Sequence, residues 1–452
     1  MRHIVFLLLA AASLQSVAAG ETRPRYGGTV RVMLQTAPNS LDLSANAGPT
    51  DYWGSSRILA MIADNLVKID AAGRVQPALA IAWQSDMNGK RWQFTLRSGV
   101  KFHDGTPASA ATIAQILGEH HSDWVVRGSG ELLTIESEFL NSSLLPELAL
   151  PRNTILKRGA DGLPVGTGAF RVTDFQPGKS LKLAAHEGSA AGRPFADIVQ
   201  IEIGRSLRDQ AIALELGKAD VVEAPPQPPA LNSNAQRVRT SLPVELVALV
   251  FPANSKAQDV RVREALALAI DRKPIQSVLL KGAGEPTASI LPNWMTGYSA
   301  VFPTQADIQR ARLVLADSRQ PALTLSYDPR DPAAQLIAER IALNARDAGI
   351  TLRVSLSGVA DVSLIRVVLP SPDPPTSLRE AARELGLPQP VIHGSSVDEL
   401  YPVERALLET HAVIPLFHLP VASTAGVRVH NWRPGRTGDW DVADLWLETD
   451  SR

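Results

Sequence analysis

The stretch at 73–112 constrains the fold more than any other part of this 452-residue chain. Asn88-Gly89 is a strong hairpin signal, because both residues tolerate a positive φ. The following sequence RWQFTLR, at 91–97, alternates apolar and polar residues and so predicts a strand with its apolar residues on one face. Ser109 can then cap a helix that runs through Leu117. The segment therefore predicts a β-hairpin followed, after two further turns, by a capped helix.

The same stretch closely resembles the signature of the family 5 extracellular solute-binding proteins, which serve peptide and nickel ABC importers. In that family the pattern reads approximately P-x-LA-x-x-W…DG…W-x-F-x-LR-x-G-V-x-F-x-DG-x-P. The residues that match it are Pro77, Leu79, Ala80, Trp83, Gly89, Trp92, Phe94, Leu96, Arg97, Gly99, Val100, Phe102, Asp104, Gly105 and Pro107. So many matches at fixed spacing indicate the fold strongly and the ligand weakly.

Three later segments extend the resemblance. VGTGAF at 165–170 is similar to a family element in which two glycines suit a tight turn. DVRVREALALAIDR at 259–272 is similar to a family helix, with Asp259 as its cap and an apolar stripe at helical spacing. A βαβ unit is predicted from two strands, LTLSY at 323–327 and ITLRVSL at 350–356, with a helix between them. Such a unit implies a parallel sheet.

The resemblance implies an α/β, two-lobed periplasmic-binding-protein-like fold with mixed sheets and an interlobe ligand cleft. We expect lobe I to comprise residues 20–244 and 416–452, and lobe II to comprise residues 245–415. Lobe II is shortened relative to the family. Strands near 244–251 and 414–419 are expected to cross between the lobes, and hinge closure around a ligand is the family's mechanism.

The N-terminus predicts export. Arg2 precedes the apolar run IVFLLLAAASL at 4–14, which is too short to span a bilayer, and small residues at 16–19 suit signal-peptide cleavage near Ala19 or Gly20. The chain contains no cysteine, so no lipid anchor or disulfide is expected. These features predict a periplasmic protein without a lipid anchor or direct membrane insertion. A net charge of −1 gives no electrostatic reason to expect nucleic acid as a partner.

Catalytic patterns are poor. The chain has no H-E-x-x-H, no G-x-S-x-G and no cysteine nucleophile. His120 and His121 are adjacent, so they cannot share one helix face as metal ligands. His103, in an HDG turn, is predicted to be structural. We therefore expect a protein that is not an enzyme and has no cofactor and no metal site.

Four residues are predicted to bind ligand: Trp53, Trp124, Arg152 and Asp373. Arg152 ends the run PELALPR, which resembles a segment of the nickel-importer branch whose arginine pairs with carboxylates of a metal chelator. An arginine fork suits a carboxylate, although a surface position remains open. Trp124 can stack on a ligand or simply pack, and Trp53 lies near the family's N-terminal cleft loop.

Asp373 is expected where peptide binders of the family hold a ligand amine. If PTS at 375–377 sets the register, Ser371 occupies the acid position and Asp373 follows two residues later. In the nickel branch an aromatic pair from this segment lines the site, whereas Val368 and Pro372 stand here.

The sequence thus predicts a monomeric ABC-importer subunit that carries a peptide-like or other small organic solute to an inner-membrane permease. Two alternatives stay open: a chelated-nickel carrier of the same fold, and a non-transport sensor or interaction protein that retains the fold.

Overall fold

The computed structural model of the protein describes residues 24–448, without 37, 39, 42–48, 71, 139–142, 228–237, 317, 319–321, 332, 357–359 and 393. The predicted signal peptide therefore lies outside the described residues. The strands are β1 Thr29–Met33, β2 Val67–Ile69, β3 Val75–Pro77, β4 Ala80–Ser85, β5 Arg91–Leu96, β6 Val125–Ser129, β7 Leu132–Glu136, β8 Lys157–Arg158, β9 Pro164–Val165, β10 Phe170–Gln176, β11 Ser180–Ala185, β12 Ile198–Glu202, β13 Val221–Ala224, β14 Val238–Val250, β15 Glu285–Pro286, β16 Leu323–Tyr327, β17 Leu352–Val354, β18 Val362–Val368, β19 Val413–Ala425, β20 Val429–His430 and β21 Trp446–Leu447.

The helices lie between these strands and cover the sheets. They are α1 Pro49–Ile62, α2 Ala110–His120, α3 Leu144–Leu148, α4 Leu207–Glu215, α5 Val260–Ala269, α6 Arg272–Pro274, α7 Asn293–Thr296, α8 Ile308–Leu315, α9 Ala334–Asp347, α10 Pro374–Glu384 and α11 Val397–Leu408. Pro151–Asn153 forms a 3₁₀ turn, and Ile275–Leu279 forms a π turn.

One mixed sheet runs through the molecule, in the order β10-β11-β12-β1-β13-β19-β14-β18-β16-β17. We call the end with β1 and β10–β13 lobe I, and the end with β16–β18 lobe II. The long strands β14 and β19 belong to both ends, because β19 pairs with β13 through residues 422–425 and with β14 from residue 413 onward. The predicted limits of the two lobes, at 244/245 and 415/416, stay predictions.

The sheet of lobe II is covered on both faces. Along β14, Val247 and Leu249 pack into the core with α5, α8 and α9. Their neighbours Leu246 and Ala248 pack into a second core with α10 and α11. Successive side chains on a strand point to opposite faces, so this central strand is apolar on both sides. The predicted βαβ unit is confirmed, since β16 pairs with β17 in parallel and α9 lies between them in sequence.

The opening segment forms a separate four-stranded sheet, in the order β4-β5-β7-β6, with α2 packed on it. The predicted hairpin is confirmed: β4 pairs antiparallel with β5, and Gly89 adopts a φ of 67° in the turn. Ser109 caps α2 by accepting a hydrogen bond from Thr112 N at 3.2 Å. Asp259 caps α5 in the same way, through Arg261 N at 2.9 Å.

The glycines of the VGTGAF segment serve close packing rather than a left-handed turn, because neither Gly166 nor Gly168 has a positive φ. A Cβ on Gly166 would lie 2.0 Å from the carbonyl oxygen of Ile62, at the end of α1. His103 completes this contact: its Nδ1 accepts from Gly166 N at 3.3 Å and its Nε2 donates to Gly168 O at 3.1 Å. Burial lowers the pKa of His103 to about 4, which fits a neutral structural imidazole.

None of the described helices is both long and apolar enough to cross a membrane.

Candidate ligand-binding cleft

The loops that follow the parallel strands of the two lobes meet. In open α/β sheets, ligands bind beyond the carboxyl ends of such strands. Gln35 follows β1 of lobe I, and Arg330 follows β16 of lobe II. The Gln35 side chain donates from Nε2 to Arg330 O at 2.8 Å. Helix α1 of lobe I also lies against β18 of lobe II. The cleft is therefore closed at these contacts.

A buried ion pair fixes the lobe I side of the cleft. Arg57 of α1 is 4% exposed and hydrogen-bonds through Nη1 to Glu223 Oε1, at the end of β13. Its guanidinium also lies 4.5 Å from the ring centroid of Trp440. The other carboxylate oxygen of Glu223 accepts from Gln35 N at 2.5 Å. The pair thus anchors the backbone from which Gln35 reaches lobe II.

Arg152 lies at the junction of the two lobes, in the 3₁₀ turn after α3. Its Nε and Nη2 donate to Glu147 Oε1, at 2.8 and 2.5 Å, and Nη2 also lies 2.6 Å from Glu147 Oε2. Its Nη1 donates to Glu380 Oε2 at 2.5 Å, and Glu380 belongs to α10 of lobe II. The planar fork predicted to receive a ligand carboxylate is therefore occupied by Glu147, and Glu380 takes the remaining nitrogen.

The electrostatics of this cluster favour the charged arginine. Burial alone would lower the pKa of Arg152, but the carboxylates of Glu147 and Glu380 outweigh it and raise the pKa above its ordinary value. Glu380 also accepts from Arg383 Nη2 at 2.6 Å. Two carboxylates and two guanidinium groups thus balance one another across the lobe junction.

Trp124 lies beside the same cluster. Its indole stacks on the imidazole of His121, with ring centroids 3.5 Å apart. His121 Nε2 contacts Asn153 Oδ1 at 2.6 Å, and Asn153 Nδ2 donates to Glu147 O at 2.6 Å. Burial lowers the pKa of His121. The ring of Trp124 is half-buried in the core of the four-stranded sheet, so one of its faces already has a partner in the protein.

Asp373 is the N-cap of α10. Its Oδ2 accepts from Thr376 N at 3.0 Å, which is the usual role of aspartate at this position. Nearby, Ser377 Oγ donates to Ser371 O at 2.5 Å, so both serines of this segment stabilise the helix start. The predicted role of Asp373 in binding a ligand amine stays a prediction. Trp53 lies in α1, and its side chain is not among the described parts of the structure.

Sequence reasoning missed Glu147, Arg379 and Glu380. Glu147 stands in the same PELALPR run as Arg152, but nothing in the sequence shows that the chain folds back between them. On α10, the sequence REAARE at 379–384 carries alternating charges that signal a polar helix face. The lobe that this face contacts follows only from the tertiary structure.

A cavity of about 650 Å³ opens on the other side of Arg152. Among the described residues its walls belong to lobe I alone, and they include Gln115 and His120 of α2 together with Lys157 and Arg158. His120 Nδ1 is buried there without a hydrogen-bond partner. Arg152 therefore separates this cavity from the lobe junction. No group of three or more His, Asp or Glu side chains in the described part of the chain could hold a metal ion.

Comparison with known families decides what this arrangement is. The profile of the bacterial extracellular solute-binding proteins, family 5 middle region, matches residues 74–117 and 137–367. The chain belongs to this family. The match includes β4 and β5 of the four-stranded sheet, Arg152 and most of lobe II, and it confirms the resemblance seen in the sequence.

Family 5 relatives carry different names. The nickel-binding protein NikA of Staphylococcus aureus is 24% identical over 329 residues, which cover 66% of this chain and 65% of the relative. A probable di/tripeptide-binding protein of Pseudomonas aeruginosa is 23% identical over 403 residues, covering 76% of each chain. The solved dipeptide-binding protein of Pseudoalteromonas, in complex with Met-Leu, superimposes with a TM-score of 0.78 at 17% identity and covers 93% of this chain and 100% of its own.

These comparisons confirm the predicted fold, a two-lobed α/β binding protein with mixed sheets. Family 5 consists of solute-binding proteins rather than enzymes, which also confirms that prediction. The identities are low, so the ligand does not follow from them.

Proposed function

We propose that this protein is the periplasmic solute-binding subunit of an ABC importer, and that it carries a peptide-like or other small organic solute with a carboxylate group. The observation that carries the proposal is the charged junction of Arg152 with Glu147 and Glu380. Charged side chains of both lobes lie there, where the lobes meet, and the long strands β14 and β19 connect the lobes. Such an arrangement suits a clamp that closes on a polar solute.

The names of the relatives support a small polar solute. One is named for nickel and another for di- and tripeptides. In the proposed complex the solute lies among Trp53, Trp124, Arg152 and Asp373. Glu147 holds the fork of Arg152 and Glu380 holds its Nη1, so in this complex Arg152 lies beside the solute and keeps both carboxylates.

A screen of the purified protein tests the proposal. Dipeptides, tripeptides, dicarboxylates and the nickel–histidine complex are added in turn, and the melting temperature is measured. A ligand at a hundredfold excess over its dissociation constant stabilises a protein by about 2.7 kcal/mol, a shift that the assay resolves. Small-angle scattering then shows whether the same ligand alters the interlobe distance.

Two results would contradict the proposal. Flat melting temperatures across the whole panel would favour the sensor or interaction protein. A response to the nickel–histidine complex alone would favour the nickel carrier. Transport itself is tested by deleting the gene and measuring uptake of the identified solute.

A further inference from the structure

Arg379, at the lobe junction, has no ionic partner among the residues that the structure describes. Arg379 stands on α10, three residues after Thr376 and directly before Glu380. Residues three or four apart share one face of a helix, so Thr376, Arg379, Glu380 and Arg383 lie on the same side of α10. Glu380 contacts Arg152 of lobe I from that side. Arg379 therefore faces the junction rather than the interior of lobe II.

The guanidinium of Arg379 makes one weak contact. Its Nη2 lies 3.5 Å from Thr376 Oγ1, at the limit for a hydrogen bond. Within the described part of the chain, no carboxylate approaches it to salt-bridge distance. Arg152 and Arg383, its neighbours in the junction, are each paired with carboxylates. Arg379 thus has donors that no carboxylate of the described residues holds.

The surroundings of Arg379 make its isolation costly. The side chain is half-buried. Burial lowers its pKa, and the nearby carboxylates of Asp373, Glu147 and Glu380 offset this only in part. A desolvated charge without a counterion is unfavourable. The hydroxyl of Thr376, which is itself 1% exposed, is neutral and does not balance the charge of Arg379.

We propose that Arg379 binds the carboxylate of the solute and is the residue that selects for acids. The inference rests on the proposed function, because it requires that a solute enters the junction. It also assigns separate tasks to the two arginines: Arg152 joins the lobes through Glu147 and Glu380, and Arg379 recognises the ligand from lobe II.

Matched ligands and matched variants test the assignment. The probes are Met-Leu, a set of other di- and tripeptides and succinate, each beside its carboxyl amide. Arg379→Met removes the guanidinium and retains the apolar stem, and Arg379→Lys retains the charge without the fork. Arg346→Met is the control, because that arginine is exposed on α9, which packs on the opposite face of the lobe II sheet from α10.

The expected result has two parts. The wild-type protein binds a free acid at least about tenfold more tightly than its amide, Arg379→Met abolishes this preference, and Arg379→Lys restores part of it. Arg346→Met changes the dissociation constant by less than about twofold. Without ligand, Arg379→Met melts at the same or a higher temperature, because an unpaired desolvated charge has been removed.

Other results separate the two proposals. If Arg379→Met binds the acid as well as the wild type does, this inference is wrong and the proposed function stands. If an acid and its amide bind alike, this inference is wrong and so is the carboxylate in the proposed function, whereas solute binding itself stands. A large drop in the melting temperature of ligand-free Arg379→Met would show that Arg379 stabilises the folded protein instead of binding the solute. If no probe binds the wild type, the proposed function fails and this inference fails with it.

Discussion

Arg152 Nη1 lies 2.5 Å from Glu380 Oε2, and this contact ties lobe I to α10 of lobe II. We therefore expect Glu380→Gln to favour the open form, because a hydrogen bond to a charged group contributes about 1.5–3 kcal/mol. Small-angle scattering of the ligand-free variant should give a larger radius of gyration than the wild type. Glu384→Gln is the control, since the ionic contact of Glu384 among the described residues is with Arg383, at 3.5 Å. Equal radii for Glu380→Gln and the wild type would show that the pair does not hold the lobes together.

Substitution of Arg152 should weaken solute binding. Arg152→Ala removes the contact between the lobes and leaves Glu147 and Glu380 facing each other, so we expect a loss of about 1.5–3 kcal/mol in affinity for a carboxylate solute. Arg152→Lys should recover only part of it, because lysine cannot form the fork to Glu147. Calorimetric titration measures both. An unchanged dissociation constant in Arg152→Ala would exclude the arginine from the binding site.

Gly166 should not tolerate a side chain. A Cβ there would lie 2.0 Å from Ile62 O and 2.6 Å from Ala63 Cβ. We expect Gly166→Ala to destabilise lobe I by about 1–3 kcal/mol, as overpacking does. Gly118 in α2 is the control, because a Cβ there meets nothing within 4 Å. Gly118→Ala should be neutral or stabilising by up to about 1 kcal/mol. Urea unfolding compares the two, and equal midpoints for both variants would contradict the packing argument.

Glu404 predicts a pH dependence of stability. Burial raises the pKa of its carboxyl to about 7, although Tyr298 Oη, Leu291 N and Ile290 N all donate to it. A carboxyl whose pKa is higher in the folded than in the unfolded state contributes stability that is complete below about pH 4.3 and is lost as pH rises towards 7. Relative to Glu404→Gln, the wild type should therefore lose up to about 1.4 kcal/mol of unfolding free energy per pH unit across that range.

The wild type has to be compared with Glu404→Gln, because buried histidines change the unfolding free energy in the opposite direction as the pH rises. Burial lowers the pKa of His418 to about 4, so the stability it contributes is present above about pH 6.5 and is lost as pH falls. Glu409 is exposed and directly follows the helix that contains Glu404. The variant Glu409→Gln should therefore give a curve of unfolding free energy against pH that is parallel to that of the wild type. Parallel curves for Glu404→Gln and the wild type would show that Glu404 does not titrate in this range.

The N-terminus offers a prediction outside the described residues. Because small residues follow the apolar run, export should remove the leader near Ala19 or Gly20. Intact mass spectrometry of the protein from the periplasm should then give a mass without residues 1–18. A mass that retains them would rule out cleavage at this position.

The sequence predicted the helices, strands and turns better than the residues at which they begin and end. The hairpin at Asn88-Gly89 and the caps Ser109 and Asp259 were predictable because turn and cap chemistry is local. β14 was expected from residue 244 and begins at Val238, since pairing with β19, which lies far away in the sequence, extends it. The glycines of VGTGAF were expected to form a turn, and their role in packing depends on the end of α1, about a hundred residues earlier.

The cleft was less predictable than the fold. The family resemblance led to Arg152, but a resemblance does not show which carboxylates already occupy a guanidinium. Glu147 is local and Glu380 lies 228 residues away, so only the packed lobes bring both to Arg152. Arg379 carried no motif at all. Its lack of a partner is a property of the tertiary structure and has no signature in the sequence.

Pro243 on β14 lies opposite Pro420 on β19, where the register between the two crossing strands shifts. Proline has no amide hydrogen, so this pair of positions contributes no N–H to the ladder. A twist of one lobe against the other at this point thus breaks no hydrogen bond between the two prolines. The side chains of the cleft then contribute to the resistance to opening, and loss of the Glu380 charge should shift the open and closed populations more than a change at either proline.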